Sequence, residues 1–506
     1  MLVTCRQMQQ IEAAAFERGE DAADLMDQVG RRMAEILIRS FPTPGTAILY
    51  LGRGNNAGDA LVAGRELAAR GWRLLARATA AMDAWKPLPR QHFTSLGGHI
   101  TLLEQAPGER DLPPGPLLLL DGLVGIGASG PLRGAAAELA REMNGLRQSH
   151  HAQVIALDLP SGLDADTGAP GDPAVRADIT LTVAHAKTGL VADTATDHVG
   201  RLVVLPIPAL AAPPDDPAVD DARVLTAAKL RDLLPARPFD LHKGQAGRVH
   251  ILAGGPGCIG AAEMCCRGAL RAGAGLVTLH AAPSAYQLLA ARMPAEVMVR
   301  RTPDLRALLE APMDGLAIGP GLTGAEDSAL LEIIESAPSA AVLDAEALNL
   351  LSRQPDLTER LQRCQGPRIL TPHPGEFERL RRALGRHRPS ADRRSEVEAF
   401  VAAHPGCTLL LKGARTLIAG PGSSLAFNGT GHPGMATGGM GDVLTGVIAA
   451  LLGQGLPGCA AAQIGAWVCG HAAQIACRSS AQRSLLPTDL IEALPAAWLD
   501  LEHGLD

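Results

Sequence analysis

Residues 429–455 read GTGHPGMATGGMGDVLTGVIAALLGQG, a glycine-dense loop that runs into an amphipathic helical pattern. A loop of this kind at a helix start brings together several backbone N–H groups and the positive end of the helix dipole, which bind anions. Asp442 falls in the first helical turn, where a carboxylate can take a proton from a hydroxyl beside a transferring phosphoryl group. A simple acidic helix cap is the alternative explanation, but the glycines cost conformational entropy and add no stability of their own. We therefore predict a phosphate-binding site at this helix.

Short apolar runs alternate with helical patterns on both sides of this segment. Strand-like runs occur in TAILYLG, PLLLLDGLVG and QVIALDLPSG, and later in GRVHILAGG, LVTLHAA, GLAIGPG, AAVLDAEAL, RILTPHPGEF and TLLLKGARTLIAG. This alternation is typical of parallel sheets covered by helices on both faces. A stretch rich in Pro, Ala and Asp separates the two series. We expect an α/β protein with domains at 1–210 and 225–506 and a linker at 211–224.

Composition excludes several classes of protein. The chain has 506 residues, too many for one hydrophobic core, and its 47% apolar content is that of a globular protein. The nine cysteines never form C-x-x-C, which argues against a disulfide framework or a zinc site. A net charge of −7 with 3% aromatic residues disfavours nucleic-acid binding. We find no membrane-spanning run and no signal-peptide pattern, so we expect a cytoplasmic protein without a membrane partner.

The chain has only five lysines, and arginine supplies its other positive charges. A lysine that remains in such a composition can be required as a compact point charge. Lys187, Lys243 and Lys412 lie inside motif-like stretches. Lys86 and Lys229 lie outside any motif, and we attribute their presence to chance.

Polar clusters follow the strand-like runs of the first third. They are GRGNNAGDA at 52–60, DGLVGIGASG at 121–130 and DLPSGLD at 158–164. The carboxyl ends of parallel strands face one crevice, so the three clusters should converge there. Their Asp, Asn and backbone oxygens suit a monovalent or alkaline-earth cation better than zinc. Ordinary turn chemistry explains any one of these clusters, but three on one sheet indicate a site.

The first of the two halves resembles NAD(P)H-hydrate epimerase, whose motifs N-N-x-G-D, D-x-x-x-G-x-G and D-x-P-S-G match these clusters. The resemblance covers residues 1–210 and implies a Rossmann-like α/β sandwich. It implies that Asp158 is catalytic and contacts the substrate, that Asn56, Asp121 and Ser161 bind potassium, and that Lys187 matches a family lysine of unassigned role. Ala57 and Ala60 stand where the family has Gly. The remaining implied substrate-binding residues are Asn55, Asn56, Ala57, Gly58, Asp59, Gly125, Ile126, Gly127, Ala128, Ser129, Gly130 and Pro131.

The second half resembles ADP-dependent NAD(P)H-hydrate dehydratase, a ribokinase-like enzyme, over residues 225–500. The stretches NGTGHPGMATGGMGD, TPHPGEF and LDAEALN carry this resemblance. It implies that Asp442 is the catalytic base and that a magnesium ion bridges the phosphates of ADP. The implied hydrate-binding residues are Ala261, Gly321, His373 and Asp442, and the implied nucleotide-binding residues are Lys412, Gly413, Ala414, Arg415, Thr416 and Gly441.

Together the two resemblances imply a bifunctional enzyme of nicotinamide-nucleotide repair. One domain would interconvert the R and S hydrates of NADH and NADPH, and the other would dehydrate the S form with ADP, giving AMP and phosphate. We also expect a homo-oligomer. Two alternatives stay open: a ribokinase-like kinase that releases a phosphorylated small molecule, and an N-terminal domain that only binds its ligand. Intact Asn56, Asp121, Asp158 and Ser161 argue against the second.

Overall fold

The computed structural model describes residues 1–128, 130–211, 220–385 and 392–506. Two compact units form, Met1–Val224 and Leu225–Asp506. Both have helices packed on largely parallel sheets, which confirms the predicted fold class. Ser129 and most of the predicted linker, residues 212–219, lie outside the described residues. In the described part of the chain, no helix is long and apolar enough to cross a membrane.

The N-terminal unit alternates strands and helices along most of its length. Its strands are β1 (Leu2–Val3), β2 (Thr46–Leu51), β3 (Arg73–Ala78), β4 (Ile100–Leu102), β5 (Leu117–Gly122), β6 (Gln153–Leu157), β7 (Ile179–Val183), β8 (Ala186–Lys187), β9 (Arg201–Leu205) and β10 (Arg223–Val224). Its α-helices are α1 (Cys5–Glu17), α2 (Ala22–Ser40), α3 (Asn55–Ala68), α4 (Pro87–Leu96), α5 (Gly134–Ser149) and α6 (Thr196–Val199). Short 3-10 turns occupy Met82–Ala84, Gly97–His99, Thr188–Val191, Asp193–Ala195 and Pro208–Leu210.

The main sheet of this unit has the strand order β4-β3-β2-β5-β6-β7-β9, and all neighbouring strands are parallel. The chain moves outward from β2 to β4 and then returns to the other side of β2 as β5. The order therefore reverses between β2 and β5, and a crevice opens at the carboxyl ends of strands at such a point. The loop after β2 and the loop after β5 are two of the three polar clusters.

The C-terminal unit repeats this plan with a longer sheet. Its strands are β11 (Arg248–Leu252), β12 (Leu276–Ala281), β13 (Val297–Arg301), β14 (Gly315–Ile318), β15 (Ala340–Leu343), β16 (Arg368–Leu370), β17 (Cys407–Leu411), β18 (Leu417–Gly420) and β19 (Ser423–Phe427). Its α-helices are α7 (Ala227–Arg231), α8 (Ile259–Arg271), α9 (Tyr286–Arg292), α10 (Asp327–Ser336), α11 (Glu346–Ser352), α12 (Leu357–Arg363), α13 (Pro374–Ala383), α14 (Arg393–Ala403), α15 (Met440–Gly453), α16 (Gly458–Ala476) and α17 (Pro487–His503). Leu305–Glu310, Pro433–Met435 and Gln482–Ser484 are 3-10 turns.

Neighbouring strands follow the order β19-β18-β17-β16-β15-β14-β11-β12-β13 in this sheet. Strands β11 to β17 pair in parallel, and β17, β18 and β19 form an antiparallel edge. Helix α15 is almost wholly buried and packs directly on α8. A Cβ atom at Gly446 would clash with the carbonyl oxygen of Cys265, and one at Gly268 would lie 2.5 Å from that of Val443. Glycine at these positions lets the two helix backbones meet, and this contact fixes where α15 begins.

Two histidines form a buried pair on neighbouring strands β11 and β12. Nδ1 of His250 lies 3.0 Å from Nε2 of His280, whose other ring nitrogen contacts Oγ1 of Thr302 at 3.1 Å. Burial lowers the pKa of His280 to about 3, with His250 and Arg300 adding to the shift. Burial, Arg300 and Arg248 lower the pKa of His250, against the charge of Asp314. Both imidazoles are therefore neutral in the folded unit at neutral pH.

This pair should make the C-terminal unit acid-sensitive. The unfolded chain takes up a proton near pH 6.5 while folded His280 does not, so stability is complete above that pH and falls as the pH decreases toward 3. The loss is at most about 1.4 kcal/mol per pH unit for His280. Urea denaturation should give a constant free energy of unfolding from about pH 8 to about pH 6.5 and a decrease with this slope from about pH 6.5 to about pH 5. His280→Gln should flatten it, and the exposed His503→Gln should not; equal slopes in both variants would contradict the assignment.

Candidate active sites

A cavity of about 850 Å³ opens in the N-terminal unit at the carboxyl ends of the central strands. It lies where the strand order reverses between β2 and β5, and the first turns of α3 and α5 reach it. Most of the residues that the sequence predicted for a substrate site line this one cavity. They are Asn55, Asn56, Asp59, Gly125, Ile126, Gly127, Ala128 and Asp158.

Other residues of the same two motifs point elsewhere. Helix α3 begins at Asn55, so Ala57 and Gly58 lie within its first turns rather than in a loop. Ala57 is fully buried in the core, and a Cβ atom at Gly58 would clash with Sδ of Met26. Gly130 and Pro131 are not among the residues that line the cavity. Ala57 and Ala60 lie within helix α3 and neither has a positive φ, so their backbone does not require glycine.

Asn56, Asp121 and Ser161 meet in a network of oxygen atoms around Val124. Nδ2 of Asn56 donates to the carbonyl of Val124 at 3.0 Å, and the Val124 N–H donates to Oγ of Ser161 at 3.1 Å. Both the Oγ and the N–H of Ser161 donate to the Asp121 carboxylate at 2.7 Å.

Two features of this network concern its oxygen atoms. Oδ1 of Asn56 is buried and accepts no hydrogen bond from the described residues. Asp121 is fully buried, and burial raises its pKa to about 6, against the hydrogen bonds from Ser161 and Leu123. A buried carboxylate beside an unsatisfied amide oxygen is a donor set that a hard cation would complete.

Asp158 is held at the cavity by an unusual backbone and a buried lysine. Its φ is +65°, a left-handed conformation that a non-glycine residue rarely adopts without a functional reason. Oδ1 of Asp158 accepts from the N–H of Val183 at 3.0 Å, from Thr182 and from Nζ of Lys187. Lys187 is fully buried on β8. Oδ2 of Asp158 accepts no hydrogen bond within the described residues, so it is available to a ligand.

The C-terminal candidate site is built around the carboxylate of Asp344, at the end of β15. Oδ1 accepts from Nζ of Lys412 at 2.8 Å, and Oδ2 accepts from Oγ1 of Thr445 in α15 at 2.9 Å. A Cβ atom at Gly441 would lie 3.3 Å from Nζ of Lys412, so the ammonium group sits against the first turn of α15. The lysine after β17 and the glycine-dense loop are thereby brought together.

Asp442 lies in that same first turn, after Gly439, whose φ is +98°. Burial raises the pKa of Asp442 to about 7; the negative charge of Asp344 adds to this shift and Lys412 opposes it. Its carboxylate forms no hydrogen bond or ion pair in the described part of the chain. A carboxyl group with a pKa near 7 and no protein partner is suited to exchange protons with a ligand at neutral pH.

His373 and the following residues approach the same lysine. His373 caps α13 by accepting at Nδ1 from the N–H of Gly375 at 3.0 Å, and Glu376 accepts from the His373 N–H at 2.8 Å. Oε2 of Glu376 lies 4.0 Å from Nζ of Lys412. The capping box fixes His373, which keeps half of its side-chain surface exposed.

The remaining predicted residues form two further groups. Gly321 has a φ of +59°, and its Cβ would lie 2.8 Å from the methyl group of Ala261, so these two residues pack together. Residues 413–416 form the turn between β17 and β18, in which Thr416 donates to the carbonyl of Gly413 at 3.2 Å and Arg415 is buried. In neither unit do the described residues contain a cluster of three or more His, Cys, Asp or Glu side chains that could hold a metal.

Comparison with known proteins identifies the family. Residues 22–189 match the family described as YjeF-related protein N-terminus, and residues 249–496 match the family described as NAD(P)H-hydrate dehydratase. The bifunctional NAD(P)H-hydrate repair enzyme of Moorella thermoacetica is 37% identical over 100% of this chain and 98% of its own length. The chain belongs to the family of bifunctional NAD(P)H-hydrate repair enzymes.

Two further repair-family proteins are similar. The Escherichia coli bifunctional NAD(P)H-hydrate repair enzyme is 34% identical over 95% of this chain and 90% of its own length. An ADP/ATP-dependent NAD(P)H-hydrate dehydratase of Bacillus subtilis, co-crystallised with ATP and Mg²⁺, is 29% identical, covers 57% of this chain and all of its own, and has a TM-score of 0.48. The two family models and the relatives from Moorella thermoacetica and Escherichia coli confirm, for both halves, the resemblance drawn from the sequence.

Sequence reasoning assigned no role to several residues that the structure places at the two sites. Glu12 on α1 and Lys86 before α4 line the N-terminal cavity, although Lys86 was attributed to chance. Asp344 was within a quoted motif but had no role, and Thr445 contacts it across 101 residues of sequence. The helical spacing of Gln9, Glu12 and Phe16 was the only available signal for Glu12. Lys86 gave none.

The buried ion pair yields a prediction about stability. Lys187→Met should lower the free energy of unfolding of the N-terminal unit by about 3–5 kcal/mol, because it leaves the Asp158 carboxylate without its buried partner. Chemical denaturation measures this, with Lys86→Met, an exposed lysine of the same unit, as the matched control. The double variant Asp158→Asn with Lys187→Met should recover part of the loss. Equal stability of Lys187→Met and Lys86→Met would contradict the prediction.

Proposed function

We propose that the N-terminal unit interconverts the R and S hydrates of NADH and NADPH, and that the C-terminal unit dehydrates the S hydrate with ADP. Family membership supports both activities. For the second, the observation that carries the proposal is Asp442, whose unpartnered carboxyl group lies beside Lys412 at the start of α15. For the first, it is the cavity that gathers Asp158 and the two glycine-rich loops.

In the N-terminal unit, the loop 125–128 and the first turns of α3 and α5 bind the dinucleotide. A glycine-rich loop and helix N-termini offer backbone N–H groups that attract the phosphates. Oδ2 of Asp158 contacts the hydrated ring, while Lys187, Thr182 and Val183 hold Oδ1. Asp59 is another acidic group of the cavity, and burial together with the charges of Asp158 and Glu12 raises its pKa well above the usual range. Its neutral form can donate a hydrogen bond to the substrate.

Potassium fits the oxygen network of this unit. The ion would be held by Oδ1 of Asn56, the Asp121 carboxylate and Oγ of Ser161. Oδ1 of Asn56 has no hydrogen bond among the described residues, and no positive charge compensates the buried Asp121 carboxylate there. Bound there, the ion supplies positive charge next to the loop 125–128. The chain's own residues position that loop through the hydrogen bonds of Val124.

In the C-terminal unit, Asp442 removes the proton of the hydrate's hydroxyl group as the phosphoryl group moves from ADP to that oxygen. AMP leaves first, and loss of phosphate from the ring then regenerates the reduced nicotinamide. Lys412 and the N–H groups of Gly441 and its neighbours stabilise the charge on the moving phosphoryl group. Asp344 positions Lys412 and helps to keep Asp442 basic.

The remaining predicted residues complete this site. His373, Ala261 and Gly321 contact the hydrate, and the turn 413–416 contacts the adenine nucleotide. A magnesium ion would bind the phosphate oxygens of ADP and neutralise their charge. The cytoplasmic location and the homo-oligomeric state stay predictions from the sequence.

Two variants test the two activities against each other in the full-length chain, with ADP and an R/S mixture of hydrates. Asp158→Ala should consume the S form at the wild-type rate and then stop with R remaining, apart from slow spontaneous exchange. Asp442→Asn should dehydrate about 10²–10⁴-fold more slowly while R and S still exchange. Chromatography of R, S and NAD(P)H over time measures both.

Each variant is the control for the other. Complete consumption of both forms by a folded Asp158→Ala protein at the wild-type rate would overturn the epimerase proposal. Dehydration by Asp442→Asn near the wild-type rate would overturn the role of Asp442. A stable phosphoester in place of free phosphate and new nicotinamide absorbance would instead favour a small-molecule kinase.

A separate measurement tests potassium. Adding potassium should stabilise the N-terminal unit of the wild type and so raise its melting temperature. At a hundredfold excess of potassium over its Kd, the free energy of unfolding should rise by up to about 2.7 kcal/mol. Asn56→Ala should abolish the effect, and tetramethylammonium at the same ionic strength is the control salt. R/S exchange should show the same dependence. An equal effect of both salts would remove potassium from the proposal.

A further inference from the structure

The first helix presents one stripe of side chains to the N-terminal cavity. A capping box between Thr4 and Gln7 fixes where α1 begins, and its buried positions Met8, Ile11 and Ala15 anchor it to the core. The adjacent stripe is Gln9, Glu12 and Phe16, and all three residues line the cavity. Helix packing therefore dictates that Glu12 faces the substrate space.

The carboxyl group of Glu12 has no bonding partner among the described residues. In the described part of the chain it forms no hydrogen bond and no ion pair, although its side chain is partly buried. Burial raises its pKa and the charge of Asp158 adds to this, whereas Lys187 and Lys86 oppose the shift. A half-buried carboxyl group without a partner costs stability and gives no structural return. Glu17, on the same helix, is exposed.

A second observation shows that this cavity is built for a ligand. Asn56 is 8% exposed and lines the same cavity, and its Oδ1 is left without a hydrogen bond among the described residues. Two polar groups that line one cavity, Glu12 on α1 and Asn56 on α3, thus lack a hydrogen bond among the described residues. Potassium is the proposed partner of Asn56, whereas Glu12 is left to the substrate.

The proposed epimerisation needs two proton-transfer groups. Hydration of the ring double bond next to the nitrogen puts the hydroxyl on the carbon attached to that nitrogen. The R and S forms therefore differ at a carbon that is bonded to the ring nitrogen and to the hydroxyl oxygen. To open the ring, a base takes the hydroxyl proton while the carbon–nitrogen bond breaks. The electron pair of that bond passes to the nitrogen, which an acid then protonates. Closing on the opposite face of the resulting aldehyde returns both protons, so nothing is consumed.

We infer that Glu12 is a catalytic residue of this reaction, the acid that protonates the ring nitrogen on opening and takes the proton back on closing. Asp158, paired with Lys187 through Oδ1, is the base that receives the hydroxyl proton on Oδ2. The two carboxyl groups have opposite surroundings, one beside a buried ammonium group and one without a partner, which is how acid and base roles are divided. The inference rests on the proposed epimerase activity.

The test is R/S exchange by the full-length chain with ADP omitted. Glu12→Gln keeps the size of the side chain and should lower kcat for exchange about 10²–10⁴-fold, with a much smaller change in KM. Glu17→Gln makes the same substitution on the exposed side of the helix and should exchange like the wild type. S-hydrate dehydration with ADP, measured on each variant, reports that the protein is folded.

The pH profile separates catalysis from a structural role. Glu12 must be protonated to act as the acid, so wild-type kcat/KM should fall as the pH rises through its pKa. In Glu12→Gln this decrease with rising pH should disappear. In Glu12→Asp exchange should be restored, and the decrease should occur at a different pH from that of the wild type. If Glu12→Gln has a lower melting temperature than the wild type, the pH profile of Glu12→Asp decides the question. A decrease in kcat/KM at a shifted pH supports the inference, and a decrease at the wild-type pH overturns it.

Other outcomes are equally decisive. A wild type that does not exchange R and S faster than the buffer overturns the proposed epimerase, and this inference with it. An active wild type with an equally active, folded Glu12→Gln variant overturns the inference alone. The same holds if Asp59→Asn abolishes the decrease with rising pH while Glu12→Gln retains it, because the acid is then Asp59.

Discussion

Both candidate sites depend on one constraint, the reversal of strand order in a parallel sheet. In each unit the chain adds strands outward on one side and then returns to the other, between β2 and β5 and between β11 and β14. At that point the two following loops diverge to opposite faces of the sheet and leave a crevice that no side chain of the sheet can fill. In the N-terminal unit the glycine-rich loops after β2 and β5 border the cavity of about 850 Å³. In the C-terminal unit the loop after β14 meets the start of α8, where Gly321 packs against Ala261.

Each site also places one lysine against a carboxylate, with further acidic groups nearby. Lys187 holds Asp158 near Glu12 and Asp59, and Lys412 holds Asp344 near Asp442 and Glu376. Burial is the largest cause that raises the pKa of Asp442 and of Glu12, and a neighbouring carboxylate adds to each shift, Asp344 in the first case and Asp158 in the second. Lys412 opposes the shift of Asp442, and Lys187 and Lys86 oppose that of Glu12. A carboxyl group with a raised pKa is more readily protonated, which favours the proton exchange that both proposed reactions require.

The start of α15 shows how packing supports this chemistry. Gly446 and Gly268 let α15 and α8 meet at backbone distance, and Thr445 then reaches Asp344. These contacts fix the first turn of α15 and hence Asp442. The cost of glycine within a helix is accepted at positions where any side chain would separate the two helices.

The sequence by itself determined the fold class and most of the polar residues that border each crevice. Apolar runs, glycines and strand-end acids are local features, and a parallel sheet always gathers its strand ends on one edge, so Asp158, Asn56, Lys412 and Asp442 could be predicted. Only the tertiary structure decided which members of each motif face the ligand space: because α3 begins at Asn55, Asp59 turns to the cavity while Ala57 and Gly58 turn to the core. It also decided the residues that arrive from elsewhere, since Glu12 and Lys86 reach the cavity through the packing of α1 and the course of the chain before α4. A contact such as Asp344 with Thr445 joins residues that no local pattern links, and its position follows from the helix and sheet packing alone.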